Sequence, residues 1–448
     1  MDVFLTHKSL LAALILTAGA VAILCFCIRL PRAVAVFVGL VATVGAALPA
    51  LGTPGGEALP IVALCALAGI ALMLLPTVEL EFEEHATEAA GLLLLATAGG
   101  IVLATATNLL SLVLGLETLS LAVAVLTGLG RGPRPLEAAF KFFVLAAVSL
   151  ATMVYGIGLY AFATGSFELG AAMPASGSLR LIYQAAVILT TVGFAFELAI
   201  VPVHFGALGA YMTAPAGIAG FAMTSSKLAA GLALIKVANG FAGPTIQPVL
   251  SVLGVVSILW ATFAALAQTD LRSILAYSAI AHAGFLGLAI GCGASGRDAA
   301  VFYVVVYAAS AGLVFAALSG RGSDPLDFET LRDKPLGTLR GLALALGLLS
   351  LAGVPPSPGF WAKLGVLLPA WHVAGPTLTI LATIGGVLGA LYYLKPLPDI
   401  LASLKGEPRG EDVAAGLLSR TAVAIAAVVV VLFTALPYLA TQLAAYSR

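Results

Sequence analysis

Charged residues are scarce in this chain: they make up 9% of its 448 residues, while hydrophobic residues make up 61%. A soluble protein of this composition has too little polar surface to cover its apolar side chains, so the composition predicts a polytopic membrane protein. The 21 basic and 21 acidic residues balance. This balance excludes the strongly basic surface that a nucleic-acid-binding protein needs.

Cysteines and cofactor motifs are also few. The four cysteines, Cys25, Cys27, Cys65 and Cys292, all lie in apolar runs. Cys25 and Cys27 are two residues apart, so they point to different faces of a helix and do not have the spacing of a metal site. The sequence has no glycine-rich phosphate loop, dinucleotide fingerprint or haem motif. We therefore predict packing cysteines, and no cofactor, metal or redox site in this chain.

Long apolar runs alternate with short polar segments along the chain. A membrane-spanning helix needs about 20 mostly apolar residues, and this rule predicts an all-α membrane protein with fourteen spans. The N-terminus leads into the first span without a small-residue cleavage site, so we expect that span to be retained. The predicted spans are Leu10–Ile28, Ala33–Leu51, Leu59–Leu75, Glu88–Ala106, Asn108–Leu129, Ala138–Ala163, Ile182–Val203, Gly217–Val237, Val249–Leu266, Ile274–Ile290, Ala299–Leu318, Gly341–Trp371, Leu378–Leu394 and Thr421–Leu443.

Basic residues outside these spans are unevenly distributed between the two faces of the membrane. With both termini on one side, that side carries Lys8, Arg180, Arg297 and Arg448. The opposite face carries thirteen basic residues: Arg29, Arg32, Arg131, Arg134, Arg272, Arg321, Arg332, Lys334, Arg340, Lys395, Lys405, Arg409 and Arg420. The positive-inside rule places the richer face in the cytoplasm, so we predict that both termini lie on the non-cytoplasmic side.

Proline interrupts two of the predicted spans: Pro202 lies in the seventh, and the segment GVPPSPG at 353–359 lies in the twelfth. Proline in a span frees backbone carbonyls, which must be satisfied by protein or by a water-lined cavity. Each interruption falls in the fourth span of a block of five. The pattern predicts two inverted five-helix repeats, 87–240 and 241–396, between a three-helix segment (1–86) and a last helix (397–448). Two unrelated kinks are the alternative.

Several ionisable side chains lie inside predicted spans, where a charge costs at least about 2.5–3.5 kcal/mol. The stretch Gly193–Lys227 is the most unusual, because it combines Glu197, His204 and Lys227 with the first proline break. Buried charges must pair or face a wet interior, and a row of them lets protons step between groups. The candidates for such a proton pathway are Glu117, Lys141, Glu197, Lys227, His282 and Lys363.

Structural alternatives exist for these residues. Glu117 could be an ion that pairs two helices, and His282 could be a packing histidine that donates to a carbonyl. Lys236 and Lys395 lie near helix ends, where a long side chain extends to the membrane interface, so we leave them out of the pathway.

Four segments resemble the antiporter-like subunits of respiratory complex I. They are LGLETLSLAVAVL (Leu114–Leu126), the APAG and SSKLAA motifs (Ala214–Ala230), LAQTDLRSILAYSAIAHAGF (Leu266–Phe285) and LSLAGVPPSPGFWAKL (Leu349–Leu364). The resemblance extends from about Glu88 to Pro396, with the motifs in the same order. It implies two inverted half-channels, a central hydrated axis of charged residues, and proton translocation driven from a distant quinone site.

The resemblance also implies roles for individual residues. Glu117 would be the fifth-span glutamate and Lys141 its sixth-span lysine partner. Lys227 would link the two halves, and Lys363 would stand at the exit half-channel. The implied surroundings are the lipid bilayer of a bacterial inner membrane and other membrane-arm subunits of a complex I-type assembly. NADH, FMN, iron–sulfur clusters and quinone are expected in those partner subunits.

One position departs from the family pattern. Family members that this chain resembles read F-K-L-A-x-x-P in the seventh span, whereas this chain reads FELAIVP at 196–202. Glu197 thus replaces the expected lysine, and two carboxylates, Glu117 and Glu197, approach the same half-channel. We hypothesise that Glu197 is either protonated at rest or paired with Lys141 or Lys227.

Three functions fit these observations. The first is a proton-translocating membrane subunit of a complex I-type NADH:quinone oxidoreductase. A subunit of a multisubunit cation/proton antiporter or of a membrane-bound hydrogenase would share the same core. A structural subunit that has lost pumping is favoured by Glu197 and disfavoured by the retained Glu117, Lys141, Lys227 and Lys363, which are costly to bury.

Overall fold

The chain is all-helical over the residues that the computed structural model describes, which are 8–27, 30–51, 57–77, 85–175, 177–241, 246–321, 326–333, 335–404 and 416–436. Part of the last predicted span, 437–443, lies outside these residues. The helices are α1 (Lys8–Phe26), α2 (Arg32–Leu51), α3 (Ala58–Leu74), α4 (His85–Thr105), α5 (Leu109–Gly128), α6 (Pro133–Thr164), α7 (Ser178–Glu197), α8 (Phe205–Thr213), α9 (Ala216–Gly240), α10 (Gln247–Leu266), α11 (Leu271–Gly291), α12 (Arg297–Leu318), α13 (Phe328–Asp333), α14 (Thr338–Ala352), α15 (Pro358–Val373), α16 (Pro376–Leu394), α17 (Leu397–Ser403) and α18 (Leu417–Ala435).

The predicted number of spans is confirmed, with one span in two pieces. Within the described residues, thirteen helices are long and apolar enough to cross a membrane. The remaining predicted span, the twelfth, is divided into α14 and α15, of 15 and 16 residues. At 1.5 Å per residue, neither piece alone spans a hydrocarbon core of about 30 Å. The protein is a multi-pass membrane protein.

The seventh span is broken as predicted, but the break is longer than the sequence indicated. Helix α7 ends at Glu197, five residues before Pro202, and the short helix α8 follows from Phe205. Ala199, inside the break, has a φ of 59°, a left-handed conformation that a residue with a side chain seldom adopts. In the twelfth span Gly353 takes the same conformation, with a φ of 77°.

Helix burial separates a core from a lipid-facing shell. In the most apolar 18-residue stretch of α9 and of α11, 100% and 94% of the residues are buried inside the protein, and α12 is buried almost as fully. In α1, α6 and α18 the buried share is 28%. The core helices carry Lys227, His282 and the buried tyrosines Tyr303 and Tyr307, so these groups lie where lipid does not reach.

A matched pair of backbone bridges supports the two inverted repeats. At the start of α5, Asn108 accepts a hydrogen bond from the Ser111 amide and bridges to Glu168, just after α6. At the start of α11, Asp270 accepts from the Ser273 amide and bridges to Asp327, before α13. Helices α5 and α11 are the second spans of their five-span blocks, so the two halves share a local design.

Helices α10 and α11 pack closely against each other through glycines. A side-chain carbon added at Gly254 would lie 2.6 Å from the Gly284 carbonyl oxygen. Small residues allow such contact between spans. We expect Gly254→Val to lower the melting temperature of the solubilised protein, because overpacking costs about 1–3 kcal/mol.

Gly158→Val in α6 is the matched control for this substitution. No atom lies within 4 Å of a side-chain carbon added at Gly158. Equal melting temperatures for the two variants would contradict a role of the α10–α11 contact in stability.

Candidate functional site

Lys227 occupies the break of the seventh span. It lies on the core helix α9, and its side chain is 1% exposed. Its Nζ donates a hydrogen bond to the carbonyl oxygen of Leu198 at 2.5 Å and lies 5.6 Å from the centre of the Tyr211 ring. Leu198 directly follows the end of α7, so its carbonyl has no helical partner and is free to accept from the lysine.

Glu197 lies beside Lys227 but is not paired with it. The side chain is 3% exposed, the hydroxyls of Ser226 and Ser120 lie next to its carboxyl group, and the charges of Lys227 and Glu117 act on it. Its Oε2 atom has no hydrogen-bond partner among the described residues. The ion pairs found in that part of the chain do not include Glu197. The carboxyl group is therefore buried without a direct countercharge.

Lys363 occupies the break of the twelfth span in the same way. Its Nζ donates to the carbonyl oxygens of Leu351 and Ala352, at 3.0 and 2.8 Å, and lies 5.7 Å from the Phe285 ring centre. These carbonyls end helix α14. The lysine itself comes from α15, the second piece of the broken span.

The two breaks thus hold an ammonium group in corresponding places. Leu198 lies four residues before Pro202, and Ala352 lies four residues before Pro356. In the first half the lysine comes from the following span, α9, whereas in the second half it comes from the broken span itself. Each break therefore presents helix-end carbonyls to a cation, which is buried in the case of Lys227 and half-buried in the case of Lys363. This arrangement is typical of ion sites in broken transporter helices.

His282 lies on α11, within electrostatic reach of both lysines. Its Nδ1 and Nε2 are hydrogen-bonded to the hydroxyls of Tyr303, at 2.7 Å, and Tyr393, at 3.0 Å. Tyr393 is in turn bonded to Ser278. The charges of Lys363 and Lys227 both act on the imidazole. The expected donation to a carbonyl is not found, because both nitrogens face tyrosine hydroxyls, and the packing role of His282 stays an alternative to the pathway role.

The tyrosines around His282 were missed by the sequence analysis. Tyr303, Tyr307 and Tyr393 are buried, and the Tyr307 ring centre lies 4.9 Å from that of His282. Buried tyrosine hydroxyls usually find a partner. A tyrosine in an apolar span is more often a lipid-interface residue, so the mid-span position of Tyr303 and Tyr307 was the signal that could have identified them.

Glu117 and Lys141 are not brought together. Glu117 is half-buried on α5. The Lys141 side chain is 66% exposed on the outer face of α6, and its Nζ lies 2.6 Å from Oε1 of Glu137, one helical turn earlier. The prediction that Lys141 pairs with Glu117 is therefore wrong, and so is the alternative that it pairs with Glu197. The physical reason is that residues four apart share a helix face, so Glu137 is the nearer carboxylate.

Three other basic side chains, Lys395, Lys236 and His204, make no hydrogen bond or ring contact with Glu197, Lys227, His282 or Lys363 within the described part of the chain. Lys395 is exposed at the end of α16 and donates to the Leu266 carbonyl, and Lys236 lies near Glu57 and Arg297. His204 is buried between the rings of Phe205 and Trp260, at 4.0 and 4.2 Å.

Metal ligands do not cluster in the part of the chain that the structure describes. No group of three or more His, Cys, Asp or Glu side chains that could hold a metal ion occurs there.

Comparison with known proteins decides the family. The family model described as "NADH:quinone oxidoreductase/Mrp antiporter, TM" matches residues 106–389. The chain belongs to this family. A curated relative, NADH-quinone oxidoreductase subunit N of Cereibacter sphaeroides, is 36% identical over 403 residues, covering 87% of this chain and 88% of the relative. NADH-quinone oxidoreductase subunit 14 of Thermus thermophilus is 38% identical and covers 68% of each chain.

Solved structures show the same fold. A chain of respiratory complex I from Thermus thermophilus with bound aureothin aligns with a TM-score of 0.82 and 31% identity, covering 96% of this chain and 98% of that one. A chain of the Mrp complex from Dietzia sp. aligns with a TM-score of 0.80 at 18% identity, covering 99% and 96%. At that identity the second similarity concerns the fold alone.

Proposed function

We propose that this chain is a proton-translocating membrane-arm subunit of a complex I-type NADH:quinone oxidoreductase. The observation that carries the proposal is the pair of lysines, Lys227 and Lys363, each held on the free carbonyls of a broken helix in the core of a member of this family. The names of the relatives support the identity of the parent complex.

The geometry suggests how a proton moves. A lysine on carbonyl oxygens is stabilised as an ammonium, but burial penalises its charge, so a small change in the neighbouring charge can release its proton. Both lysines act electrostatically on His282. Loss of a proton at one lysine therefore favours protonation of the groups next to it. Changes of charge in partner subunits would drive this sequence of steps.

Glu197 is proposed to be protonated at rest. Its carboxyl group has no countercharge within hydrogen-bond reach, and a buried carboxylate without one is costly. A neutral acid beside Lys227 can release its proton along the pathway and become a carboxylate while the lysine is charged, and it can later rebind a proton. Glu117, half-buried on α5, would deliver protons to it.

Glu197→Gln tests this role. Glutamine keeps the size of the side chain but cannot release a proton, so we expect proton pumping by the intact complex in proteoliposomes to fall by about tenfold. Glu329→Gln is the matched control, since Glu329 is exposed on the short helix α13. Wild-type pumping by Glu197→Gln would remove Glu197 from the pathway.

The surroundings of the chain form part of the proposal. We expect both termini on the non-cytoplasmic side of a bacterial inner membrane, and the pathway within the repeats 87–240 and 241–396. NADH, FMN, iron–sulfur clusters and quinone would be bound by partner subunits. The exposed Lys141–Glu137 pair on α6 marks a face that a neighbouring membrane-arm subunit would cover, because an ion pair facing lipid is costly.

A structural subunit without pumping is the second candidate. The observations that favour it are Glu197 at the break and the outward position of Lys141. The buried Lys227 and the half-buried Lys363 argue against it, since an inactive core has no reason to keep them. Mass spectrometry of the chains that copurify tests the parent complex: NADH- and quinone-binding chains are expected, and their absence would favour an antiporter or hydrogenase complex.

A further inference from the structure

The proposed pathway has a gap between Lys227 and Lys363. Lys227 donates to the Leu198 carbonyl, and Lys363 donates to Leu351 and Ala352. Both nitrogens of His282 are engaged with Tyr303 and Tyr393, so the imidazole is not hydrogen-bonded to either lysine. A proton that crosses between the halves needs another group in this gap.

Tyr307 lies on α12, the core helix that packs against the helix of Lys227. Helices α9 and α12 pack extensively against each other, with Gly231 against Val304 and Gly220 against Phe315. The two helices are therefore antiparallel in register, and this register places Lys227 opposite residues 307–308. Tyr307 also interacts electrostatically with Tyr211, the ring beneath Lys227.

A small cavity continues the route from Tyr307 towards Lys363. It is lined by Tyr307, Ser310, Ser350 and Leu351, among others, and has a volume of about 10 Å³, close to the minimum in which one water molecule fits. The Ser310 and Ser350 hydroxyls are 2.7 Å apart and bonded to each other. The carbonyl of Leu351 is the one that accepts from Lys363.

The Tyr307 hydroxyl is itself unusual. The side chain is 4% exposed, yet its oxygen has no hydrogen-bond partner among the residues described. An unpartnered buried hydroxyl costs about 1–3 kcal/mol, so packing alone would favour phenylalanine at this position.

We propose that protons cross between Lys227 and Lys363 through the Tyr307 hydroxyl and the Ser310–Ser350 pair, beside the His282 ring. This proposal rests on the proposed function. At rest the Tyr307 oxygen has no partner within hydrogen-bond distance among the described residues, so each transfer passes through a bridging water molecule, which gives up one proton as it takes another. In the step, an N–H bond of the Lys227 ammonium breaks and the bridging water passes a proton to the Tyr307 oxygen. The Tyr307 proton moves on to the serine pair, and a serine proton joins the neutral amine of Lys363. No electrons are transferred, and one positive charge moves from the first lysine to the second.

Tyr307→Phe in the intact complex tests the route. The variant keeps the ring and loses no hydrogen bond to the described residues, so a purely structural role of Tyr307 predicts unchanged assembly and pumping. The route predicts normal incorporation of the chain and a fall of about tenfold or more in the initial rate of proton pumping in proteoliposomes.

Tyr160→Phe is the matched control. Tyr160 is buried outside the route and donates to the Glu168 carbonyl at 3.0 Å, so this variant loses a real hydrogen bond but should pump like wild type. Wild-type pumping by Tyr307→Phe would overturn the route. If Tyr307→Phe does not assemble, Ser310→Ala is measured instead. The route predicts that this variant is incorporated normally and pumps more slowly, and wild-type pumping by Ser310→Ala would overturn the route.

The lysine variants separate the failure of this route from the failure of the proposed function. If Lys227→Met and Lys363→Met lose pumping while Tyr307→Phe does not, the route through Tyr307 is wrong and the function stands. If all three variants pump like wild type, the proposed function is wrong as well.

Discussion

Lys227→Met is expected to reduce proton pumping by the intact complex by about a hundredfold, since general acid–base groups contribute about 10²–10⁴ in rate. Methionine matches the length of lysine but carries no proton, and it leaves the Leu198 carbonyl without the donor that it now has. The chain is expected to remain in the membrane, because removing a buried charge also removes the cost of burying it. The measurement is the initial rate of proton uptake by proteoliposomes during quinone reduction.

Lys395→Met is the matched control for this prediction. Lys395 also donates to a helix-end carbonyl, that of Leu266, but it is exposed at the end of α16. Its replacement should leave pumping within about twofold of wild type, as is usual for exposed sites far from the chemistry. Equal losses in Lys395→Met and Lys227→Met would mean that any lysine on a helix end matters for stability, and the pathway argument would fail.

Lys363→Met is expected to have an effect of the same size, because Lys363 takes the corresponding place at the second break. The sharper expectation concerns the double variant Lys227→Met/Lys363→Met. If the two lysines act in series on one pathway, the double variant pumps about as slowly as the slower single variant, since groups that act as a unit are not additive. The measurement is the same initial rate, for both single variants and the double variant side by side.

Two separate pathways predict a different pattern. Each single variant would then keep about half of the pumping rate, and only the double variant would lose it entirely. That result would contradict a single proton pathway in which Glu197, Lys227 and Lys363 act in series.

The spans and their breaks could be predicted from the sequence for physical reasons. A bilayer about 30 Å thick fixes the length of an apolar run, and proline at Pro202 and Pro356 removes a donor that a helix needs. The candidate pathway residues Glu197, Lys227 and Lys363 could be selected from the sequence because a charge in a span is costly enough to be retained only for a reason. The positions of charges within apolar spans therefore pointed to these candidates.

The other features of the candidate site could not be predicted, because they depend on the direction in which each side chain points. Lys141 was placed in the pathway, but it lies on the outer face of α6, next to Glu137. Sequence spacing within one helix predicts such a pair, whereas contact between helices depends on their packing, which the spacing does not give. The short helix α8 and the tyrosines around His282 were not predicted for a related reason. Neither is marked by a charged side chain, and an uncharged side chain in a span carries no comparable cost.

The most direct test of a proton path through this chain is the number of protons translocated per quinone reduced by the intact complex carrying Lys227→Met. The path predicts that the ratio falls or that quinone reduction stops together with pumping, because translocation through Lys227 is part of the coupled cycle. Wild-type turnover at the wild-type ratio, with the variant chain fully incorporated, would contradict it.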